Sequence, residues 1–188
     1  MIETLISSKT RIKLLLKFFL NSNTTAYLRS LESEFGESTN AIRLELNRLE
    51  KAGMLSSFAD GNKKVFKANT NHPLFGEIHN IILKHIGLDK VIINVIERLG
   101  DVKEVYLAGS FSRGLDSQII DLIIIGNIDI NYLVALIGKV EKIIQRKIRY
   151  LIYSPTERDS IDWSTFSPKP LMLWDDERNK LEKHEHVQ

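Results

Sequence analysis

The residues best suited to phosphate chemistry form one short stretch, Gly109–Gly114, with the sequence GSFSRG. A glycine-serine turn presents backbone N–H groups and a hydroxyl that can bind phosphate oxygens. The apolar segment that follows carries one carboxylate, Asp121. Acids on alternate residues of a strand share one face, where they can hold the divalent ions that assist nucleotidyl transfer. The stretch therefore predicts a turn able to hold a phosphate beside a strand that bears an acid.

This arrangement resembles the nucleotidyltransferase superfamily, in its small bacterial antitoxin-like form, over roughly residues 88–155. The motif of that superfamily is Gly-Ser-x-x-x-Gly, then Asp-x-Asp at the head of the next strand, then a third acid on a later strand. The resemblance implies a nucleotide site at five positions: Gly109, Ser110, Arg113, Gly114 and Asp121.

Two of the three acids that the resemblance implies are missing. Ile119 stands at the first position of the acid pair, and the segment KIRYLIYS, where the third acid is expected, contains none. One carboxylate does not neutralise two divalent ions, and Asp116 is the nearby acid that could act as a second ligand. We therefore expect no catalytic residue, no metal site and no cofactor, and interpret GSFSRG as a tight turn in which Arg113 pairs with Asp121.

The elements around this turn predict a small mixed α/β domain at residues 101–176. The segments VKEVYLAGS, IIDLIIIG and KIRYLIYS are typical of strands, the second of them buried on both faces, and PLMLWDD suggests a fourth. The segment from Asp129 to Lys147 predicts a helix whose inward residues are Ile130, Leu133, Ile137, Val140 and Ile144. The polar residues 177–188 are expected to form a disordered tail.

The front of the chain, residues 1–72, predicts a winged helix-turn-helix. Apolar residues recur at helical spacing after a serine cap, at Ile12, Leu15, Leu16, Phe19 and Leu20. A second short helix is expected from Thr25 to Gly36, and a third after Ser38 with Ile42, Leu46 and Leu49 inward. Two short strands joined at Asp60-Gly61-Asn62 complete the expected wing.

The outer face of the third helix carries side chains that can read base edges. Asn40, Arg43 and Asn47 recur at i, i+3 and i+7, and these residue types bind adenine or guanine in the major groove. Other side chains are predicted to contact phosphates: Thr39, Arg48, Lys51, Lys63 and Lys64. The alternative is a solvated helix face and a charged hairpin, and Glu45 and Glu50 weaken the positive field. The complete order of three helices and a basic wing favours DNA binding.

The same order resembles the ArsR-like winged-helix regulators over roughly residues 5–75. That resemblance implies a transcriptional regulator that binds double-stranded DNA. It does not imply metal sensing, because the chain has no Cys and its five His are scattered.

Residues 73–100 predict two connector helices. They are apolar at Phe75, Ile78, Ile82 and Ile86, and again at Val91, Ile92, Val95, Ile96 and Leu99. His79 and His85 are six residues apart, which is poor spacing for metal ligands. The apolar surface exceeds what one small domain needs, so we expect a homodimer in which these helices take part.

Composition limits the class of protein. The chain has 188 residues, 43% of them hydrophobic and 27% charged, which fits a globular protein. Residues 1–70 carry a net charge of +4 and residues 71–188 a net charge of −2, so a polyanionic partner is expected at the front. No apolar run is long enough to span a membrane, and the lack of Cys favours a cytoplasmic protein.

Together these patterns predict an α+β protein: a winged helix, connector helices and a small nucleotidyltransferase-like domain. The expected function is DNA-binding transcription regulation, with the second domain catalytically degenerate and serving to sense a small-molecule or nucleotide ligand or to assist assembly. Two alternatives remain open. One is an active nucleotidyltransferase of a toxin–antitoxin pair, and the other is a protein-interaction scaffold that does not bind DNA.

Overall fold

The computed structural model describes residues 2–177 and divides them into two compact units. One unit holds the described residues up to His85 together with Arg113–Asp116. The other holds Ile86–Ser112 and the described residues from Ser117 onward. The fold is mixed α+β with one antiparallel sheet of three strands and a second sheet of four. Of the residues described, no helix is both long enough and apolar enough to cross a membrane.

The first unit begins with four helices. Their bounds are α1 Ile2–Leu5, α2 Lys9–Leu15 with a π-helical continuation Leu16–Leu20, α3 Leu28–Phe35 and α4 Thr39–Lys51. The predicted serine cap of α2 is confirmed, since Ser8 accepts a hydrogen bond from the N–H of Arg11. Gly36, with a φ of 62°, ends α3 as predicted.

The helix at residues 9–20 is buried on more sides than the one predicted. Leu14 and Phe18 are buried as well as the five predicted positions, so its second half is enclosed on all sides. Lys17 is buried there too, where its ammonium lies 2.7 Å from a carboxylate oxygen of Glu34. That ion pair satisfies a charge that would otherwise be costly to bury.

The sheet of the first unit is formed by β1 Thr25–Tyr27, β2 Leu55–Asp60 and β3 Lys63–Ala68, in the order β1-β3-β2. The predicted hairpin of β2 and β3 is confirmed. The prediction that a helix begins at Thr25 is wrong, because residues 25–27 pair with β3 and α3 begins only at Leu28. Helix α5, Phe75–Ile86, follows the sheet.

The second unit contains a continuous helical segment and a four-stranded sheet. The helical segment consists of α6 Leu88–Val91, a π-helical stretch Ile92–Ile96 and α7 Glu97–Leu99. The strands are β4 Val102–Ala108, β5 Ile119–Gly126, β6 Lys147–Tyr153 and β7 Leu171–Asp175, and their order is β6-β5-β4-β7. All four predicted strands are confirmed.

The one-turn helix α8, Gly109–Ser112, lies between β4 and β5. Helix α9, Ile130–Ile144, connects β5 to β6, which pair in parallel. The predicted burial of Leu133, Ile137 and Val140 is confirmed, and Leu136 is buried with them. The inward position of Ile130 is wrong: its side chain is 58% exposed, because it opens the helix directly after the Asp129 cap. Two short 3₁₀ turns, Arg158–Ser160 and Trp163–Thr165, precede β7.

Candidate functional site

Helix α4 presents its predicted base-reading face to solvent. Ser38 caps the helix by accepting a hydrogen bond from the N–H of Ala41. The buried side chains Ile42, Leu46 and Leu49 fix the rotation of the helix, as predicted. Asn40, Arg43 and Asn47 are therefore exposed on the opposite side. A rigid helix with an exposed polar face is the geometry that a base-reading element requires.

A groove with a volume of about 720 Å³ lies beside this face. It is lined from three directions, by β1 and the start of α3, by α4, and by the hairpin strand β3. The lining residues are Tyr27, Leu28, Arg29, Glu32, Thr39, Arg43, Leu46, Asn47, Lys63, Lys64 and Phe66. Five of the eight residues predicted to bind DNA are among them: Thr39, Arg43, Asn47, Lys63 and Lys64. The structure thus brings part of α4 and the β2–β3 hairpin to one concave surface.

The lining of the groove is positively charged. It contains four cationic side chains and one carboxylate, that of Glu32. The ammonium of Lys63 lies 4.5 Å from the centre of the Tyr27 ring, a cation–π contact that holds it at the groove wall. The ammonium of Lys64 lies 2.7 Å from a carboxylate oxygen of Glu50. A polyanion is the ligand that this charge distribution favours.

Glu50 connects the β2–β3 hairpin to α4. It accepts hydrogen bonds from Lys64 and from the hydroxyl of Ser57, at 2.7 and 2.5 Å. Both hydrogen bonds hold the pKa of Glu50 below its usual range, and the bond from Lys64 has the larger effect. Lys64 therefore pairs with Glu50 and also lines the groove. From the sequence alone, Lys64 and Glu50 are expected to be two independent charges.

The other predicted DNA contacts lie outside the groove lining. Asn40 and Lys51 are exposed on α4. Arg48 donates a hydrogen bond of 3.0 Å to Glu45, which is buried and also binds Arg11 at 2.8 Å. Burial alone would raise the pKa of Glu45, but the hydrogen bonds, led by that from Arg11, outweigh it and lower the pKa. Arg48 therefore has a structural partner within the fold.

Tyr27 and Arg29 are among the lining residues that sequence reasoning did not assign to this surface. Both residues were predicted to lie within a helix beginning at Thr25. Because β1 pairs with β3, Tyr27 lies opposite Val65 and its ring meets Lys63. The β-branched and aromatic residues at 24, 25 and 27 were a weak strand signal that could have indicated this pairing.

The Gly-Ser stretch of the second unit packs directly against Asp121. Residues Gly109–Ser112 form one helical turn, α8, so the prediction of a tight turn between two strands is wrong. Gly109 has a φ of 65°, and a Cβ atom there would collide with the carboxylate of Asp121. Only glycine allows this close approach. The hydroxyl of Ser112 donates a hydrogen bond of 2.9 Å to the carbonyl oxygen of Gly109, and Ser110 is half-buried.

The partner of Asp121 is Arg149, and the predicted pairing with Arg113 is wrong. Nε of Arg149 donates a hydrogen bond of 2.7 Å to Oδ1 of Asp121. The parallel register of β5 and β6 places the two residues side by side. The bond raises the pKa of Arg149 above its ordinary value. Arg113 and Gly114 fall in the segment that groups with the first unit, as does Asp116.

The residues around Asp121 do not fit a pair of divalent cations. Strand β6, which would hold the third acid, places the cationic Arg149 beside Asp121 and contains no carboxylate. Ile119 is half-buried at the position of the first acid. Within residues 2–177, no cluster of three or more His, Asp or Glu side chains could bind a metal ion. The geometry supports an ion pair between Asp121 and Arg149 at this position.

Comparison with known proteins gives distant structural similarities. No protein-family model matches the chain, and no curated protein matches it. A mutant of the MntA–HpeT toxin–antitoxin pair is similar at 16% identity, covering 54% of this chain and 88% of that chain, with a TM-score of 0.37. A tri-AMPylated HEPN toxin of Shewanella oneidensis in complex with MNT antitoxin is similar at 14% identity, covering 56% and 89%, with a TM-score of 0.36.

A further solved structure, described as a nucleotidyltransferase from Sulfolobus solfataricus, has 19% identity, covers 50% of this chain and 79% of that chain, and has a TM-score of 0.32. Similarity at this distance assigns the chain to no family. The function is therefore best argued from the geometry of the two candidate sites.

Proposed function

We propose that the protein is a cytoplasmic transcription regulator whose first unit is a winged-helix module that binds double-stranded DNA. The observation that carries this proposal is the groove in which cations from three separate elements converge: Arg29 from α3, Arg43 from α4, and Lys63 and Lys64 from the wing. Neutralising several phosphates at once is the main source of affinity for DNA. A set of charges distributed over α3, α4 and the wing can meet the backbone on both sides of an inserted helix.

Helix α4 is the element that reads sequence in this proposal. Arg43 and Asn47 line the groove, and Asn40 is exposed one turn earlier on the same face. Arginine binds the O6 and N7 atoms of guanine with two hydrogen bonds, and asparagine binds the N6 and N7 atoms of adenine in the same way. The register of α4 in the major groove would thus be fixed by three side chains at i, i+3 and i+7.

The proposed phosphate contacts are made by residues at the rim of the groove. Thr39 lies at the first turn of α4, and Lys63 and Lys64 lie at the start of β3. Lys51 is exposed at the last turn of α4 and is proposed to contact the same phosphate backbone. Arg48 has a smaller part in this scheme than the sequence implied, because it is already paired with Glu45.

For the second unit we propose a nucleotidyltransferase-like domain without catalysis, which senses a small-molecule or nucleotide ligand or assists assembly. Its support is the Asp121–Arg149 ion pair, since a cation occupies the neighbourhood where metal ions would need a second carboxylate. Transfer of a nucleotidyl group depends on charge neutralisation of that kind.

One observation favours the competing function, an active nucleotidyltransferase of a toxin–antitoxin pair. Gly109 still lies against Asp121, as a phosphate-binding turn beside a metal ligand would. Metal-dependent transfer of a nucleotide to this protein or to a partner would establish that function. The other alternative, a scaffold that does not bind DNA, would give no salt-dependent binding to any duplex.

A search for protected sites on random duplex DNA tests the leading proposal. The protein is incubated with a randomised library, bound duplexes are selected over several rounds, and affinity for the enriched sequence is measured at several salt concentrations. We expect a preferred sequence and an affinity that falls steeply as salt rises. No enrichment, together with no salt-dependent binding, would exclude DNA as the partner.

A further inference from the structure

One carboxylate lines the groove of the first unit, and it has no partner within the fold. Glu32, in the second turn of α3, is half-buried, and its side chain makes no hydrogen bond or ion pair among the described residues. Arg29 lies three residues earlier on the same helix and also lines the groove. No ion pair joins these two side chains in the described part of the chain. The groove thus contains charges of both signs that are not paired with each other.

The surroundings of Glu32 make its carboxylate sensitive to what enters the groove. Leu46 and Phe66 line the same groove and are buried. Beside apolar side chains a hydrogen bond is stronger, and an acceptor left without a donor is more costly. A carboxylate accepts hydrogen bonds and donates none, so a phosphate oxygen cannot satisfy it and is repelled. If DNA occupies the groove, Glu32 therefore requires an N–H donor.

The hydrogen-bond donors of the major groove limit what Glu32 can bind. They are the N4 amine of cytosine and the N6 amine of adenine. Asparagine, which both donates and accepts, matches the N6 and N7 atoms of adenine, whereas a carboxylate matches the N4 amine of cytosine. In a G·C pair that amine lies beside O6 of guanine, an atom that the guanidinium of Arg43 is suited to bind. Arg43 lines the groove together with Glu32.

We infer that Glu32 is a specificity-determining residue that accepts a hydrogen bond from the N4 amine of a cytosine, beside the guanine bound by Arg43. This inference rests on the proposed function, since it requires α4 to lie in the major groove of a duplex. Helix α3 would then read sequence together with α4, through a residue that weakens the attraction to phosphates. A base without an amine at that position leaves the carboxylate unpaired, and the cost of this creates the preference.

Removal of one amine from the DNA tests the inference. Each cytosine of the preferred duplex is replaced in turn by a pyrimidinone that lacks the amino group, while the opposite guanine is kept. At one position we expect the original chain to lose affinity at least about fivefold, measured by fluorescence anisotropy. Glu32→Ala should show no loss there, because it has no acceptor to leave unpaired. Any effect of the replacement on the duplex itself is the same for both proteins and cancels in the comparison.

Glu77→Ala is the matched control, because it removes an exposed carboxylate of α5 that does not line the groove, and it should lose affinity as the original chain does. Circular dichroism confirms that both variants are folded.

The inference and the proposed function fail in different ways. An original chain that binds no duplex would overturn DNA binding, and the role of Glu32 with it. An original chain that binds a preferred sequence, but responds to each replaced cytosine as Glu32→Ala does, would overturn the role of Glu32 alone. Tighter binding of Glu32→Ala to all duplexes with an unchanged base preference would also overturn it, since Glu32 would then act only as a repulsive charge.

Discussion

Arg43 lines the groove on the exposed face of α4, and in the proposed docking it binds a base edge. If α4 enters the major groove, Arg43→Ala should weaken binding to the preferred duplex by about 1–3 kcal/mol and relax the preference at one base position. Fluorescence anisotropy with the selected duplex and its single-base variants measures both effects. Arg98→Ala removes an exposed arginine from the second unit and serves as the control. Equal affinity of the two variants for all duplexes would contradict the docking of α4.

Lys63 should behave differently, because in the proposed docking it contacts the phosphate backbone. Held at the groove wall by the ring of Tyr27, it is positioned to meet a phosphate. Lys63→Ala should weaken binding to every sequence alike and reduce the slope of log affinity against log salt by about one. A salt titration of the original chain and the variant provides the measurement. A loss restricted to the preferred sequence would show that Lys63 reads a base.

At the scale of elements, Glu45 joins two helices through one buried carboxylate. It binds Arg11 of α2 at 2.8 Å and Arg48 of α4 at 3.0 Å. Glu45→Gln should therefore lower the free energy of unfolding at neutral pH by about 1–3 kcal/mol, the usual range for a buried hydrogen bond to a charged group. Urea unfolding followed by circular dichroism measures the loss.

The pH dependence of that loss follows from the direction of the pKa shift. The pKa of Glu45 is lower in the folded protein than its ordinary value of 4.5. The carboxylate thus stabilises the fold above pH 4.5, and this contribution disappears as the pH falls through the folded-state pKa. The difference between the original chain and Glu45→Gln should shrink below pH 4.5. A difference that is constant with pH would mean that packing, and not charge, is responsible.

The elements also show what the sequence can and cannot predict. Helix α4 was predictable because its cap at Ser38 and its inward residues Ile42 and Leu46 are local signals. Strand β1 was not, because its pairing partner β3 lies some forty residues further along the chain. For the same reason Arg149 could not be recognised as the partner of Asp121, since only the parallel register of β5 and β6 brings them together. Local periodicity was enough to predict most helices and strands. The side-chain partners in both sites depend on pairing between distant strands, which local patterns do not predict.

For the whole molecule, the two units should be separable in function. We predict no transfer from any of the four NTPs, with magnesium or manganese, to the protein or to a partner, because Asp121 is paired with Arg149 and lacks a second carboxylate. Incubation with labelled NTPs measures this. Ile119→Asp should not create activity, since a third acid is still missing, and Asp121→Ala should leave DNA affinity unchanged. Metal-dependent labelling that disappears in Asp121→Ala would contradict the interpretation that the site is catalytically degenerate.

The position of Arg149 has a consequence for the solubility of the chain. Strand β6 is an edge of the four-stranded sheet, so one row of its backbone hydrogen-bonding groups has no strand beside it in the described part of the chain. The other residues of β6, Ile148 and Tyr150–Tyr153, are aliphatic or aromatic. Such a strand readily pairs with strands of other molecules. A charge in such an edge is a common protection against aggregation. The cation beside Asp121 would thus also act as a gatekeeper, so that Arg149→Leu promotes aggregation where Arg149→Lys does not.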